Sequence, residues 1–236
     1  MRVLVACEES QAVTMAFREL GHEAFSCDLL ECSGGHPEWH IMGDVEKMLN
    51  GRCSFTTQSG DKHRIDTKWD LLIGFPPCTY LTNAGACRLF QGLDDGGAYR
   101  MINVERLKKG ILGRDFFMKV LNADCERIAV ENPVPTAIYM LPEYSQIIEP
   151  YMFGHPYSKR TCLWLKNLPK LQPTNIVEPQ ISWVSGGSKK ADGTPRENQG
   201  MTFRDSFTKS KTFPGVAKAM AEQWTGEYQV LQTLDL

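Results

Sequence analysis

A chain of 236 residues is long for one domain and short for two, since independent domains run roughly 50 to 250 residues. Its 42% hydrophobic and 23% charged residues are ordinary globular usage and exclude a disordered, collagen-like or low-complexity chain. The 26 Lys and Arg against 28 Asp and Glu leave a formal charge of -2, which excludes a polybasic nucleic-acid binder.

In chain order, Arg2 to Ala6 (RVLVA) is a short apolar run suited to a buried strand, and Gln11 to Leu20 reads as a helix ending at Gly21. Glu23 to Cys27 (EAFSC) follows as a second strand closed by Asp28. Strand, helix, strand is the opening of a parallel sheet. Gly51 to Lys68 is polar and turn-rich, the pattern of a small hairpin insert. Trp69 to Phe75 and Arg127 to Val130 are again buried-strand runs, and a long amphipathic helix is expected between them over about Tyr99 to Asn122. Thr79 to Gly97 is a glycine-bearing loop after a strand end, where an open α/β sheet puts its ligands. Thr161 to Leu165 reads as a strand and Pro214 to Trp224 as a closing helix. Residues 166–213 between them are rich in Pro, Gly, Lys and Ser with little periodicity. The fold class is therefore α/β, a doubly wound, mostly parallel sheet, in one domain spanning 1–236.

The net charge hides an asymmetry, because residues 1–150 hold 15 basic and 21 acidic side chains whereas 151–236 hold 11 and 7. If a phosphate backbone is bound, the last third is expected to meet it. No apolar run approaches the ~20 residues that span a bilayer, and the start is too short in apolar residues for a signal peptide. A cytoplasmic protein without membrane contact is the expectation. Eight cysteines would be reduced there, so most should be small buried hydrophobes. Cys32, His36 and His40 lack a paired Cys-x-x-Cys and a fourth ligand, so no metal site is expected.

Two short motifs carry chemistry. In Gly74-Phe75-Pro76-Pro77-Cys78 two prolines fix two φ angles at a strand exit and hold the next side chain in place. Cys78 is there either a nucleophile or a buried thiol at a stiff turn. In Val130-Glu131-Asn132-Pro133 a carboxylate lies at another strand end, either ligand-binding or merely solvated. Both motifs fall on the same edge of one sheet.

GFPPCT followed by VENP resembles the two catalytic motifs of the DNA (cytosine-5) methyltransferases. RVLVACEES with its helix and FSCDL resemble that family's first two cofactor motifs, and Gly43-Asp44-Val45 the third. Ser158-Lys159-Arg160-Thr161 resembles the arginine motif, and Pro214 to Trp224 the closing helix beside the cofactor pocket. The likeness is strongest to compact phage and prophage members. It implies a Rossmann-like fold, S-adenosylmethionine as cofactor, and Cys78 as the thiolate that adds to cytosine C6 so that C5 becomes nucleophilic. Glu131 would hold the N3 and amine edge, and Arg160 the pyrimidine carbonyl. Asp28 with Leu29 would meet the cofactor's ribose, and Asp44 with Val45 its adenine. Ala6, Cys7, Glu8, Ser10 and Pro76 would line the rest of the cofactor site. Adenine amino-methylating enzymes carry a polar residue before the two prolines and an aromatic after them, so Phe75 and Cys78 favour carbon methylation.

Two departures from the family stand out. The first motif is glycine-rich in the family but here reads Ala6-Cys7-Glu8-Glu9-Ser10, leaving Glu8 or Ser10 to bond the cofactor's amino group. The recognition region between the arginine motif and the closing helix, often longer than a hundred residues in the family, is reduced here to residues 166–213. Its Lys166, Lys170, Lys189, Lys190, Arg196, Arg204, Lys209 and Lys211 are either phosphate contacts or a solvated face. Specificity is then slight, or supplied by a partner protein, or the substrate is RNA or a free pyrimidine nucleotide. A catalytically silent binding protein is the reading from another class.

Overall fold

The computed structural model describes residues 1–86, 88–91, 101–182 and 211–226. Its main sheet has seven strands: β1 (Arg2–Ala6), β2 (Glu23–Asp28), β3 (His40–Met42), β4 (Leu71–Gly74), β5 (Ile128–Pro133), β6 (Gln146–Ile148) and β7 (Thr161–Lys166). They are ordered β6-β7-β5-β4-β1-β2-β3. The first five are parallel to their neighbours, whereas β7 runs antiparallel to both β5 and β6. The order reverses between β1 and β4, so the crevice at their carboxyl ends is the topological switch point where such sheets bind ligands. This is a Rossmann-like, doubly wound fold, a mostly parallel sheet with helices on both faces.

Side-chain alternation along the buried strands builds both faces. Val3 and Val5 of β1, with Ala129 of β5 and Leu163 of β7, join Val13 and Phe17 of α1 (Ala12–Glu19) and Val216, Met220 and Trp224 of α3 (Pro214–Trp224). Leu4 and Ala6, with Phe25, Leu72 and Val130, join Phe117 and Val120 of α2 (Val104–Leu121) on the other face. Each fully buried large side chain contributes roughly 1.5–3 kcal/mol, which is why strands of four to six residues hold without help from propensity. Among the described residues no helix is long and apolar enough to cross a membrane.

The predicted elements differ from the observed ones in a few places. The expected hairpin in 51–68 is Cys53–Thr56 paired antiparallel with Lys62–Ile65. The long helix starts only at Val104, where the Asn103 side chain accepts from the Arg106 N–H at 3.0 Å as its N-cap. In the loop from Thr79, one helical turn forms at Asn83–Ala86, and Phe90–Gln91 pairs with Met101–Ile102; residues 92–97 lie outside the described part. β3 and β6 carry no sequence signal, being three residues each. β5 runs on through Pro133, because β7 pairs with it in the register Glu131 with Leu163 and Asn132 with Cys162.

Candidate active site

β1, β4 and β5 end side by side. Phe75 N–H donates to the Ala6 carbonyl at 2.9 Å, continuing the ladder one residue past β4. Gly74 is required at this exit: a Cβ there would lie 2.6 Å from Val120 Cγ1, so α2 could not approach the strand end. Pro76 is buried and Pro77 exposed. After Cys78 the chain turns, with the Leu81 N–H on the Cys78 carbonyl at 3.0 Å.

The loop is then tied to the chain that leaves β5. Asn83 N–H donates to the Val134 carbonyl at 3.0 Å, Thr136 N–H to the Leu81 carbonyl at 2.8 Å, and Thr82 and Pro135 form a β-bridge. Fully buried Leu81 anchors the junction. The two motif exits are thereby one hydrogen-bonded unit.

Three ionisable groups act on one another here. Burial is the main cause that pushes the Cys78 thiol up to about 11; the Glu131 carboxylate raises it further and the Lys159 ammonium opposes both. Burial likewise holds Glu131 above the usual carboxylate range, partly offset by Lys159. Lys159 stands two residues before β7, where the Thr161 hydroxyl donates to its carbonyl at 3.0 Å. Phe75, Glu131, Lys159, Lys211, Phe213 and Met220 line a small cavity of about 30 Å³, room for a water. Cys78 lies outside that lining and is coupled to it through charge. Arg160 is exposed and its charge acts on Cys162. Lys159, not singled out in the sequence, is thus the cation facing both Cys78 and Glu131; its only signal was its place beside Arg160 in the same motif.

At the other half of the crevice, Cys7 follows β1 with φ 61°, a left-handed conformation that strongly favours glycine. Its N–H donates to the Cys27 carbonyl at 2.7 Å. Asp28 ends β2, its Oδ1 accepting from the Leu30 N–H at 3.0 Å, and Asp44 caps the 3-10 turn Val45–Lys47 through the Glu46 N–H at 3.0 Å. Behind burial, both carboxylates contribute to raising the Cys7 and Cys27 thiols, Cys27 to about 12, so Asp28 and Asp44 converge on the same spot. Leu29 is exposed, whereas Ala6 and Val45 are core residues.

Glu8 is turned elsewhere. Its Oε1 accepts from the Val13 N–H at 2.6 Å, and its Oε2 from the Thr14 N–H at 3.2 Å and the Thr14 hydroxyl at 2.7 Å. It therefore caps the N-terminus of α1 in place of Gln11, whose side chain instead bonds the His36 carbonyl and N–H at 2.8 and 3.0 Å. Ser10 is half-buried, and its carbonyl packs so closely on Gly34 that a Cβ there would lie 2.6 Å away. Glu9, also without a signal in the sequence, is buried, and its Oε2 has no hydrogen-bond partner among the described residues. The Ser33 N–H donates to the Glu9 carbonyl at 2.8 Å, and Lys211 Nζ donates to the Ser33 hydroxyl at 3.1 Å. The segment before α3 thus reaches across the crevice from the Glu131 cavity to the loop after β2.

Of the basic residues expected to meet phosphate, Lys166 donates to the Cys125 carbonyl at 3.1 Å and Lys170 is exposed. Lys189, Lys190, Arg196, Arg204 and Lys209 lie outside the described residues, as does Cys87. His40 is buried between the Ser26 hydroxyl at 2.8 Å and the Leu30 carbonyl at 2.9 Å. His36 pairs with Glu38 at 2.9 Å and stacks on Trp39.

No family model matches the chain, and no curated protein does. Among solved structures it is similar to an E. coli prophage-encoded protein described as a DNA modification methyltransferase, with 12% identity and a TM-score of 0.40 over 75% of this chain and 52% of that one. The chain spans about half the length of that structure. A likeness of this degree bears on neither fold nor function, which rest on the strand order and side-chain placement above.

Proposed function

We propose that this chain is a DNA (cytosine-5) methyltransferase, a single catalytic domain using S-adenosylmethionine. The observation that carries the reading is the joined exit of β4 and β5, which brings Cys78, Glu131 and Lys159 into electrostatic contact at the switch point of the sheet.

The residue types at the crevice support that cofactor. Two carboxylates, Asp28 and Asp44, stand at adjacent strand ends as acceptors for ribose hydroxyls and an adenine amine. Cys7 takes the left-handed backbone that glycine adopts most readily, so the turn after β1 keeps the shape a glycine would give it. The orphaned Glu9 Oε2 is an acceptor for an ammonium group, a role that Glu8, spent on α1, does not fill. When bound, S-adenosylmethionine supplies an electrophilic methyl group.

The remaining chemistry belongs to the chain. With its pKa at about 11 the Cys78 thiol is protonated at neutral pH, and only the thiolate is nucleophilic. A proton moved from Cys78 to Glu131 removes the carboxylate charge that opposes the thiolate and leaves a neutral carboxyl able to donate to cytosine N3. Lys159 steadies the negative charge throughout. The thiolate adds to C6, the C5=C6 electron pair makes C5 nucleophilic, and after methylation the C5 proton leaves to a base. Elimination then expels Cys78 as thiolate. Arg160 is assigned to the pyrimidine carbonyl. Because the cavity beside Glu131 holds about a water, a flipped base enters only if the segment 211–213 gives way.

A duplex carrying 5-fluorocytosine is expected to trap a covalent complex in the presence of cofactor, and Cys78→Ala to abolish it. Full methylation by Cys78→Ala would overturn the mechanism. The short 166–213 segment favours a second reading, the same chemistry on RNA or a free pyrimidine nucleotide. Labelled-methyl incorporation compared across DNA, RNA and dCMP separates them.

A further inference from the structure

Close in sequence to the proposed nucleophile lies an open groove of about 430 Å³ between the loop after Cys78 and the first turns of α2. Tyr80, Arg88, Arg106 and Lys109 line it, with Asn103 and Glu105. The Arg106 guanidinium donates to the Thr79 carbonyl at 3.0 Å and lies 4.9 Å from the Tyr80 ring centroid; Lys109 Nζ lies 5.9 Å from the same centroid. Glu105 is engaged by Lys108 at 3.1 Å. Among the described residues no carboxylate pairs with Arg88 or Lys109, and both are exposed. Three cations thus meet one neutralised carboxylate, in the part of the chain, residues 1–150, whose net charge is acidic.

We infer that this groove is a docking surface for the phosphate backbone of DNA, with Arg88 and Lys109 as phosphate contacts and Tyr80 as the aromatic floor. The inference rests on the reading of DNA as substrate. Tyr80 follows Cys78 by two residues, which span at most about 7 Å. A DNA strand carries one phosphate per about 3.4 Å of helix axis, so a base held at Cys78 brings the phosphates of its immediate neighbours over the groove. Cations at that distance neutralise them, whereas the Arg106 bond to Thr79 keeps the groove wall in register with the nucleophile. Contacts of this kind position the strand and carry no sequence information, which suits a chain with a short recognition segment. An acidic protein partner would need no such adjacency to Cys78.

The test is fluorescence anisotropy of a labelled duplex at salt concentrations from about 50 to 200 mM, with wild type, Arg88→Ala/Lys109→Ala and the charge-retaining Arg88→Lys/Lys109→Arg. Each phosphate contact steepens the slope of log affinity against log salt by about 0.9. The alanine pair is expected to flatten that slope by about two and to weaken low-salt binding about tenfold or more at unchanged Tm, while the charge-retaining pair keeps the wild-type slope. An alanine pair with the wild-type slope overturns the groove alone. Wild-type protein with no salt-dependent DNA binding overturns the groove together with the reading of DNA as substrate.

Discussion

The Glu131 carboxylate raises the pKa of the Cys78 thiol while Lys159 lowers it, so the two charged neighbours of the nucleophile pull in opposite directions. Burial, the largest effect, sets the baseline high, and the balance of the two charges decides how much thiolate is present. Removing either neighbour is therefore expected to move the thiol with opposite sign. Glu131→Gln should lower the Cys78 pKa and speed its alkylation by iodoacetamide at pH 8, by about an order of magnitude for each tenfold rise in acidity of the thiol, while methyl transfer falls roughly 10²–10⁴-fold. Lys159→Met should slow alkylation. Peptide mapping of the alkylated chain reads Cys78 apart from the other cysteines; alkylation moving in the same direction in both variants would refute the arrangement.

Glu8 predicts a pH dependence of stability. Burial is the main cause that lifts its carboxyl from 4.5 to about 7, against the lowering hydrogen bonds from Val13 and Thr14. Between those values the folded chain holds more protons than the unfolded one, so the Glu8 contribution is fully present below about pH 4.5 and is lost as pH rises through 7. Its size is on the order of 3 kcal/mol. Urea unfolding of Glu8→Gln across this range should give a flatter stability profile than wild type; an unchanged slope would assign the dependence to other groups.

Gly215 tests the seat of α3. A Cβ there would lie 2.0 Å from the Phe153 carbonyl oxygen, backbone that cannot yield, and the Gly215 N–H donates to His155 Nε2 at 2.9 Å. Gly215→Ala is expected to cost about 2 kcal/mol, a fall in Tm of roughly 5 °C for a chain this size. Calorimetry checks it.

Asp28→Ala removes one of the two carboxylates that converge beside Cys7. Isothermal titration with S-adenosylmethionine should show at least about tenfold weaker binding, as expected for a lost hydrogen bond to a charged group. The fold should be unaffected, since Asp28 is only half-buried at a strand end.

Much of this molecule is written locally. RVLVA, EAFSC and the runs before Pro76 and Glu131 read as buried strands because they are short, largely apolar and closed by turn residues or proline, the length and punctuation of a strand covered on both faces. Pro214 and Gly215 open a helix whose small apolar face was legible in the same way. β3 and β6 were not legible, because three residues contain no period to read and their stability comes from neighbouring strands.

The site divides along the same line. The sequence by itself determined the chemistry-bearing types, Cys78 after two prolines and Glu131 in its strand, because φ restriction and strand ends are local properties. Only the tertiary structure decided which cation faces them. Lys159 and Arg160 are adjacent in sequence, and the choice between them depends on how the chain enters β7, which its antiparallel register with β5 sets. It also decided that Glu8 caps α1 while Glu9 keeps a buried, unpartnered oxygen, since the direction of each carboxylate is settled by the helix and loops packed against it and not by the five letters ACEES.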